Sequence, residues 1–352
     1  MALLFLEGFD AYGTNGYIAD SVMESAGYML YQNFNPLPNV MVSSDTRTGV
    51  GYSVVTNTWG YWAGGFRRAF NMSTSLVAGF SVKVNTSAFT SICSFLYNDL
   101  IGDEWTQVTI NYNGVNGVSV VTGDNAHVYS SSPNVLFQGV WQYIEVKYNP
   151  GAGSLQLKVD GVVVINVISQ PVSSGGVANY INKIGFGGSG PWMIYVDDIY
   201  VCDETGAAFN DYMGDCIVHS ILPNADGGVN QFTQTGGTSG HFSAINENPE
   251  DGDASYLSSN TTGQMELFTL PALPFDVVDV LAVGVNVFAR KSAPGVALYK
   301  AVISVGGVEA DGASVPTSID YVMTQTIFTV PPGSGAWSRI AAQSASIGLK
   351  IA

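Results

Sequence analysis

Val140-Trp-Gln-Tyr-Ile-Glu-Val-Lys-Tyr-Asn-Pro-Gly-Ala-Gly-Ser-Leu-Gln-Leu-Lys-Val-Asp-Gly-Val-Val-Val-Ile-Asn-Val-Ile168 decides the fold. Gln142, Ile144, Val146 and Tyr148 share one side of a period-two pattern, and Glu145 and Lys147 take the other. This is the signature of a half-buried strand. Asn149 to Gly153 interrupts it, after which Leu155, Leu157 and Val159 alternate with Ser154, Gln156 and Lys158. Asp160-Gly161 follows, the dipeptide suited to a two-residue type I′ hairpin because both positions need positive φ. Val162 to Ile168 is the return strand. Two or three antiparallel strands are expected here.

The same alternation extends outward. Further strands are expected near 3–7, 50–56, 64–71, 76–84, 91–97, 105–112, 117–121, 182–187 and 192–202. Beyond Met265 apolar segments resume at 277–289, 296–305, 321–330 and 347–351. Helix signals are confined to a capping box from Ser21 to Glu24 and to a short segment between Trp337 and Ser346. A domain boundary falls near 203–227, where Pro223 to Gly228 reads as a turn cluster, and 229–262 reads as polar loop. Many short strands with Gly, Asn and Pro turns point to a sandwich or jelly roll.

With 352 residues, about two domains are expected. Twelve Lys and Arg stand against 28 Asp and Glu, a net charge of −16. Charged residues are 11% of the chain and hydrophobic ones 46%, the opposite of a disordered polyanion. A nucleic-acid partner needs a basic stripe. The chain offers only Arg67-Arg68 and Arg290-Lys291. The first ten residues have no basic region or small-residue cleavage site, so they do not read as a signal peptide. No stretch approaches the length of a membrane helix, and no membrane insertion is expected.

Gly185-Phe-Gly-Gly-Ser-Gly190 matches a dinucleotide fingerprint in letters, but strand pattern follows it where the chemistry needs a helix. Walker, HExxH and GxSxG motifs do not occur. His127, His219 and His241 are isolated from one another and read as satisfied surface or core residues. The carboxylate pairs are Glu7/Asp10, Asp103/Glu104 and Asp197/Asp198. Strand alternation sends the last two to opposite faces, one capping backbone amides and the other solvated. Asn248 to Asp253 is oxygen-rich without the EF-hand order and reads as a solvated loop. The strand tryptophans Trp105, Trp141 and Trp192 read as core, while Trp59, Tyr61 and Trp62, set among glycines, are the candidate glycan-contact aromatics. Cys93, Cys202 and Cys216 allow one Cys202–Cys216 disulfide or three buried thiols, and their scatter favours thiols. The sequons at Asn71, Asn85 and Asn260 read as chance matches. No cofactor is expected.

The tryptophan strand at 140–148, the Val-Asp160-Gly161 hairpin, Ile184-Gly-Phe186 and the closing strand Ile194-Tyr-Val-Asp-Asp-Ile-Tyr-Val201 resemble the concanavalin A-like, or laminin-G-like, lectin and glucanase superfamily. Asp203-Glu-Thr-Gly206, Asp215-Cys-Ile-Val-His-Ser-Ile-Leu-Pro-Asn-Ala-Asp-Gly227 and Ala289-Arg-Lys291 look like a recurrent type of tailed-bacteriophage virion structural protein. In that type a laminin-G-like domain precedes a second β domain. The resemblance implies an all-β chain: a concanavalin A-like jelly-roll sandwich over 1–213, then a smaller β-sandwich over 214–352 concerned with virion assembly or exposed on the particle.

It further implies a place on a virion assembled in the host cytoplasm, tail or fibre associated, with other virion proteins and copies of itself as partners and a host-surface glycan as a contact. A capsid decoration or head-fibre protein and a free carbohydrate-binding lectin are the alternatives. The glucanase branch carries a Glu-x-Asp-x-x-Glu strand that this chain lacks, which implies a protein that is not an enzyme. No metal ligands carry over.

Overall fold

The computed structural model describes residues 3–13, 16–17, 20–31, 40–57, 64–99, 103–174, 178–188, 193–333 and 335–352. The chain divides into two compact units, Met1–His219 and Ser220–Ala352.

In the first unit the elements run β1 (Leu3–Glu7), β2 (Gly16–Tyr17), helix α1 (Asp20–Ser25), β3 (Tyr28–Tyr31), β4 (Val40–Ser43), β5 (Ser53–Asn57), β6 (Gly64–Ser73), β7 (Leu76–Val84) and β8 (Phe89–Asn98). They continue with β9 (Glu104–Asn113), β10 (Val118–Thr122), β11 (Val128–Ser130), β12 (Trp141–Asn149), β13 (Ser154–Val159), β14 (Val162–Val167), β15 (Ile181–Gly188) and β16 (Met193–Cys202). A nine-stranded sheet has the order β14-β13-β12-β7-β16-β5-β4-β2, with β1 also on β16, and a seven-stranded sheet has the order β11-β10-β9-β8-β15-β6-β3. All the pairings are antiparallel, as a jelly roll requires.

The hairpin expected at 160–161 is present: β13 and β14 are joined by two residues, Asp160 at φ 48° and Gly161 at φ 77°. Both signs match the primed turn whose twist suits paired strands. The two sheets meet through aromatic rings. Phe80 of β7 lies 5.0 Å from Phe186 of β15, and Phe95 of β8 lies 5.6 Å from Tyr148 of β12. Val82, Ile144, Val146, Val108, Ile110 and Ile184 fill the space between. The core therefore follows the period-two pattern wherever that pattern is unbroken.

In the second unit the strands are β17 (Ala225–Asn230), β18 (Thr233–Thr235), β19 (Tyr256–Ser258), β20 (Met265–Thr269), β21 (Val283–Ala289), β22 (Leu298–Val305), β23 (Val308–Asp311), β24 (Val315–Pro316), β25 (Val322–Phe328) and β26 (Ala345–Ile351). Helix α2 (Arg339–Gln343) is capped by Ser338, whose side chain accepts from the Ala341 N–H. A six-stranded sheet, β17-β20-β26-β22-β23 with β24 on β22, carries the separate β21–β25 ribbon on one face. Between them lie Val285, Ala301, Ile303, Phe328, Trp337, Ala342 and Ala345. The molecule is all-β sandwich throughout, as expected.

Three local expectations are corrected. The 223–228 turn cluster is the start of β17, where a bulge between Asp226 and Asn230 lets Gly227 and Gly228 sit inside an edge strand. Trp105 is 45% exposed and Trp141 is half-buried, so neither is core; Trp192 lies outside the described residues. Cys93, Cys202 and Cys216 are free thiols, but Cys216 is only half-buried.

Candidate functional site

On the seven-stranded sheet, alternation turns Phe66, Ile184, Phe95 and Val108 inward and presents Arg67, Gly185, Ser94 and Thr109 as one row on the outer face. A Cβ on Gly185 would stand 3.0 Å from Arg67 Cγ. The missing side chain is what lets Arg67 lie across β15 and reach Glu104 on β9. Lys183, with a side chain only 4% exposed, binds the other oxygen of the same carboxylate. Burial, and then the Arg67 charge, hold the Lys183 amine below its usual range. Ser94 and Thr109 exchange a hydroxyl hydrogen bond of 3.1 Å beside this triad. Trp105 follows Glu104 directly in β9 and is exposed, and the in-register pairs Asn98–Glu104 and Tyr97–Trp105 turn its indole away from the triad's side of the strand. Two cations, one carboxylate and two half-buried hydroxyls form a surface able to hydrogen-bond polyols.

Of the fingerprint glycines, Gly185 and Gly187 are strand residues of β15, facing Arg67 and Gly65 of β6; Gly190 lies outside the described residues. The candidate aromatics Trp59, Tyr61 and Trp62 also lie outside the described residues.

The other carboxylate pairs gather on the nine-stranded sheet, where Glu7 pairs in register with Ile199. Glu7 accepts from the Phe9 N–H and the hydroxyls of Tyr12 and Tyr28 at 2.8–2.9 Å, and Asp10 accepts from the Tyr52 N–H at 2.7 Å. The expectation that Asp197 and Asp198 point to opposite faces, one solvated, is overturned. A bulge between Asp197 and Tyr200 and a φ of 52° at Asp198 break the alternation, and both residues are buried. Asp198 accepts from Ser81 Oγ at 3.0 Å and from the Val218 N–H at 2.9 Å, while Asp197 accepts from the Asp198 N–H at 2.8 Å. Burial, then the neighbouring Asp198 charge, push the Asp197 carboxyl up to about 9.

Residues 203–219 run over this face as a strap. The Gly214 N–H donates to Glu145 Oε1 at 2.8 Å, the Met213 N–H to the Tyr200 hydroxyl at 3.1 Å, and Arg47 pairs with Asp215. The expected 213/214 division falls inside this strap. In the second unit two carboxylates of the 248–253 loop have protein partners: Asp251 accepts from Ser255, and Asp253 from Arg290 and Tyr321. His241 Nδ1 lies 2.7 Å from Glu266, which is buried and also accepts from the Gln231 and Phe232 N–H groups. No sequence signal links that pair, since 25 residues separate them. Among the described residues no group of three His, Cys, Asp or Glu is placed to hold a metal, and no helix is long and apolar enough to cross a membrane.

No family model matches the chain, and no curated protein matches its sequence. Among solved structures it is similar to a sialidase at 11% identity and a TM-score of 0.39, over 56% of this chain and 18% of that one. It is similar to a carbohydrate esterase of the Shiga toxin-encoding bacteriophage phi24B at 10% identity and a TM-score of 0.36, over 51% and 91%. The third is Bacillus licheniformis β-glucanase, at 13% identity and a TM-score of 0.39, over 57% and 98%. The likeness is one of architecture, the concanavalin-like jelly roll. It corrects one expectation: enzymes stand among the similar folds, so the missing Glu-x-Asp-x-x-Glu strand does not make this chain a non-enzyme.

Proposed function

We propose that the chain is a structural component of a bacteriophage virion, associated with the tail or its fibres, and that its jelly roll contacts host-surface glycans. The glycan part rests on the Arg67–Glu104–Lys183 triad on the outer face of the seven-stranded sheet, with the Ser94 and Thr109 hydroxyls beside it. Charge held on a sheet face, next to half-buried hydroxyls, suits a ligand with many hydroxyls. The virion part rests on the resemblance carried by Asp203–Gly206, Asp215–Gly227 and Ala289–Lys291.

Purified particles labelled with an antibody to this chain test the placement. Label along the tail or at its tip supports the reading, label on the head replaces it with capsid decoration, and unlabelled particles overturn it. A glycan array probed with the full chain and with Arg67→Ala and Glu104→Gln tests the face. Loss of binding in both variants supports it, and unchanged binding removes the site. The same face favours a second reading, a free lectin, which predicts glycan binding by a chain that labels no particle.

A further inference from the structure

We infer that Cys202, Met213 and Cys216 form a three-sulfur site for a soft monovalent cation, Cu(I), which staples the 203–219 strap to β16. The site lies in the first unit, on the nine-stranded sheet, and shares no residue with the triad face.

Cys202 is the last residue of β16 and is fully buried. The strap returns over it. Two hydrogen bonds seat the strap there, from the Met213 N–H to the Tyr200 hydroxyl at 3.1 Å and from the Gly214 N–H to Glu145 at 2.8 Å. So placed, Met213 brings its thioether sulfur 3.6 Å from Cys202 Sγ. Gly214 then takes a φ of 83°, which glycine adopts without strain. The chain folds back, and the Cys216 thiol reaches the Met213 carbonyl at 3.6 Å. Cys216 is also near enough to Cys202 that a charge on one opposes a charge on the other. Met213 and Cys216 are half-buried, which leaves an ion a path from solvent.

Thiolate and thioether sulfurs are soft donors and select soft ions. Sulfurs that share a trigonal ion through bonds of about 2.3 Å stand about 4 Å apart. The Cys202–Met213 pair therefore has to open by only a few tenths of an ångström. Zinc in a closed site takes four ligands from Cys, His, Asp or Glu. Among the described residues no His, Asp or Glu joins the two cysteines in a group placed to hold a metal. Two thiolates and a thioether suit Cu(I) instead. Each thiol gives its proton to water as its sulfur takes the ion, and neither copper nor sulfur changes oxidation state. Of the charges acting on Cys216, Arg47 favours the resulting anionic complex, while Glu145, Asp215 and Asp198 oppose it. The site is thereby restricted to ions that hold sulfur strongly.

Anaerobic titration of the reduced full chain with Cu(I), in competition with a chromophoric Cu(I) chelator, tests the site. Circular dichroism confirms the fold of each variant. Wild type is expected to retain a single equivalent and to unfold at higher temperature when loaded, because the ion binds only the folded strap. Cys216→Ala is expected to lose the ion to the chelator and to show no shift on loading; Cys216→Ser serves should the alanine variant fail to fold. Met213→Leu keeps the volume and removes the sulfur, so it should hold the ion more weakly than wild type. Cys93→Ala removes a thiol of the seven-stranded sheet and should bind like wild type. A wild-type chain that yields all its copper to the chelator overturns the proposal, and so does Cys216→Ala or Met213→Leu with wild-type retention.

Discussion

The backbone N–H of Val218 donates to Asp198 Oδ1 at 2.9 Å, tying the end of the 203–219 strap to a bulge in β16. Asp198 holds Ser81 with its other oxygen, so one side chain fastens both the strap and the middle of β7. Beneath the same strap Glu145 accepts from both Gly214 N–H and the Tyr200 hydroxyl. The outer face of the nine-stranded sheet is thus closed by the chain's own backbone, while the triad face of the other sheet keeps accessible groups.

Replacing Asp198 with Ala leaves the Val218 amide and the Ser81 hydroxyl without their acceptor. The expected cost is about 2–4 kcal/mol, since each buried group left unsatisfied costs about 1–3 kcal/mol. The strap should loosen first. Cys216, whose thiol burial pushes up to about 12, reports on it. Alkylation at neutral pH should be slow in wild type and much faster in Asp198→Ala. Equal rates would show that the strap does not depend on this contact.

Asp197 sets a pH dependence of definite sign. Its folded-state carboxyl is pushed up from 3.8 to about 9, by burial first and then by the Asp198 charge. Across that window the folded chain keeps a proton that the unfolded chain releases. The contribution is complete below the unfolded value and is lost as pH rises through the folded one, at up to about 1.4 kcal/mol per pH unit for one proton. Thermal unfolding should therefore move to lower temperature from mildly acidic to alkaline pH. Asp197→Asn should flatten that slope and raise Tm on the alkaline side. A variant that keeps the wild-type slope would assign the proton elsewhere.

Glu104→Gln strands the buried Lys183 amine. Breaking a buried pair costs about 3–5 kcal/mol, and the partial exposure of Glu104 reduces the expectation to about 1–3 kcal/mol. The double variant Glu104→Gln, Lys183→Met removes both members and should recover most of the loss in urea unfolding. Additive losses in the double-mutant cycle would mean that the two residues act independently.

What the sequence made legible is what depends on neighbours in the chain. The 140–168 strands and the Asp160-Gly161 turn follow from alternation and from φ demands within a few residues. Asp197 and Asp198 escape the strand pattern because alternation holds only until a bulge, and the φ of 52° at Asp198 has no glycine to announce it. Trp105 departs from the core pattern because it stands near the start of β9, where Tyr97 faces it across the strand pair. The Arg67–Glu104–Lys183 triad joins three strands separated by long stretches of chain, so its members look like unrelated charges in sequence. His241 and Glu266 are hidden for the same reason.

Arg339 offers a test of shape in the second unit. Its planar fork reaches three carbonyls of the 273–277 loop; a lysine ammonium is a single point on a flexible stem and cannot hold all three. Arg339→Lys keeps the charge while releasing the loop. The Leu273 N–H, now bound to Gln343, should exchange faster with solvent, whereas amides in the β20–β26 pairing should be unaffected. Unchanged exchange at Leu273 would show that Gln343 alone holds the loop and that the arginine fork is not what fixes its shape.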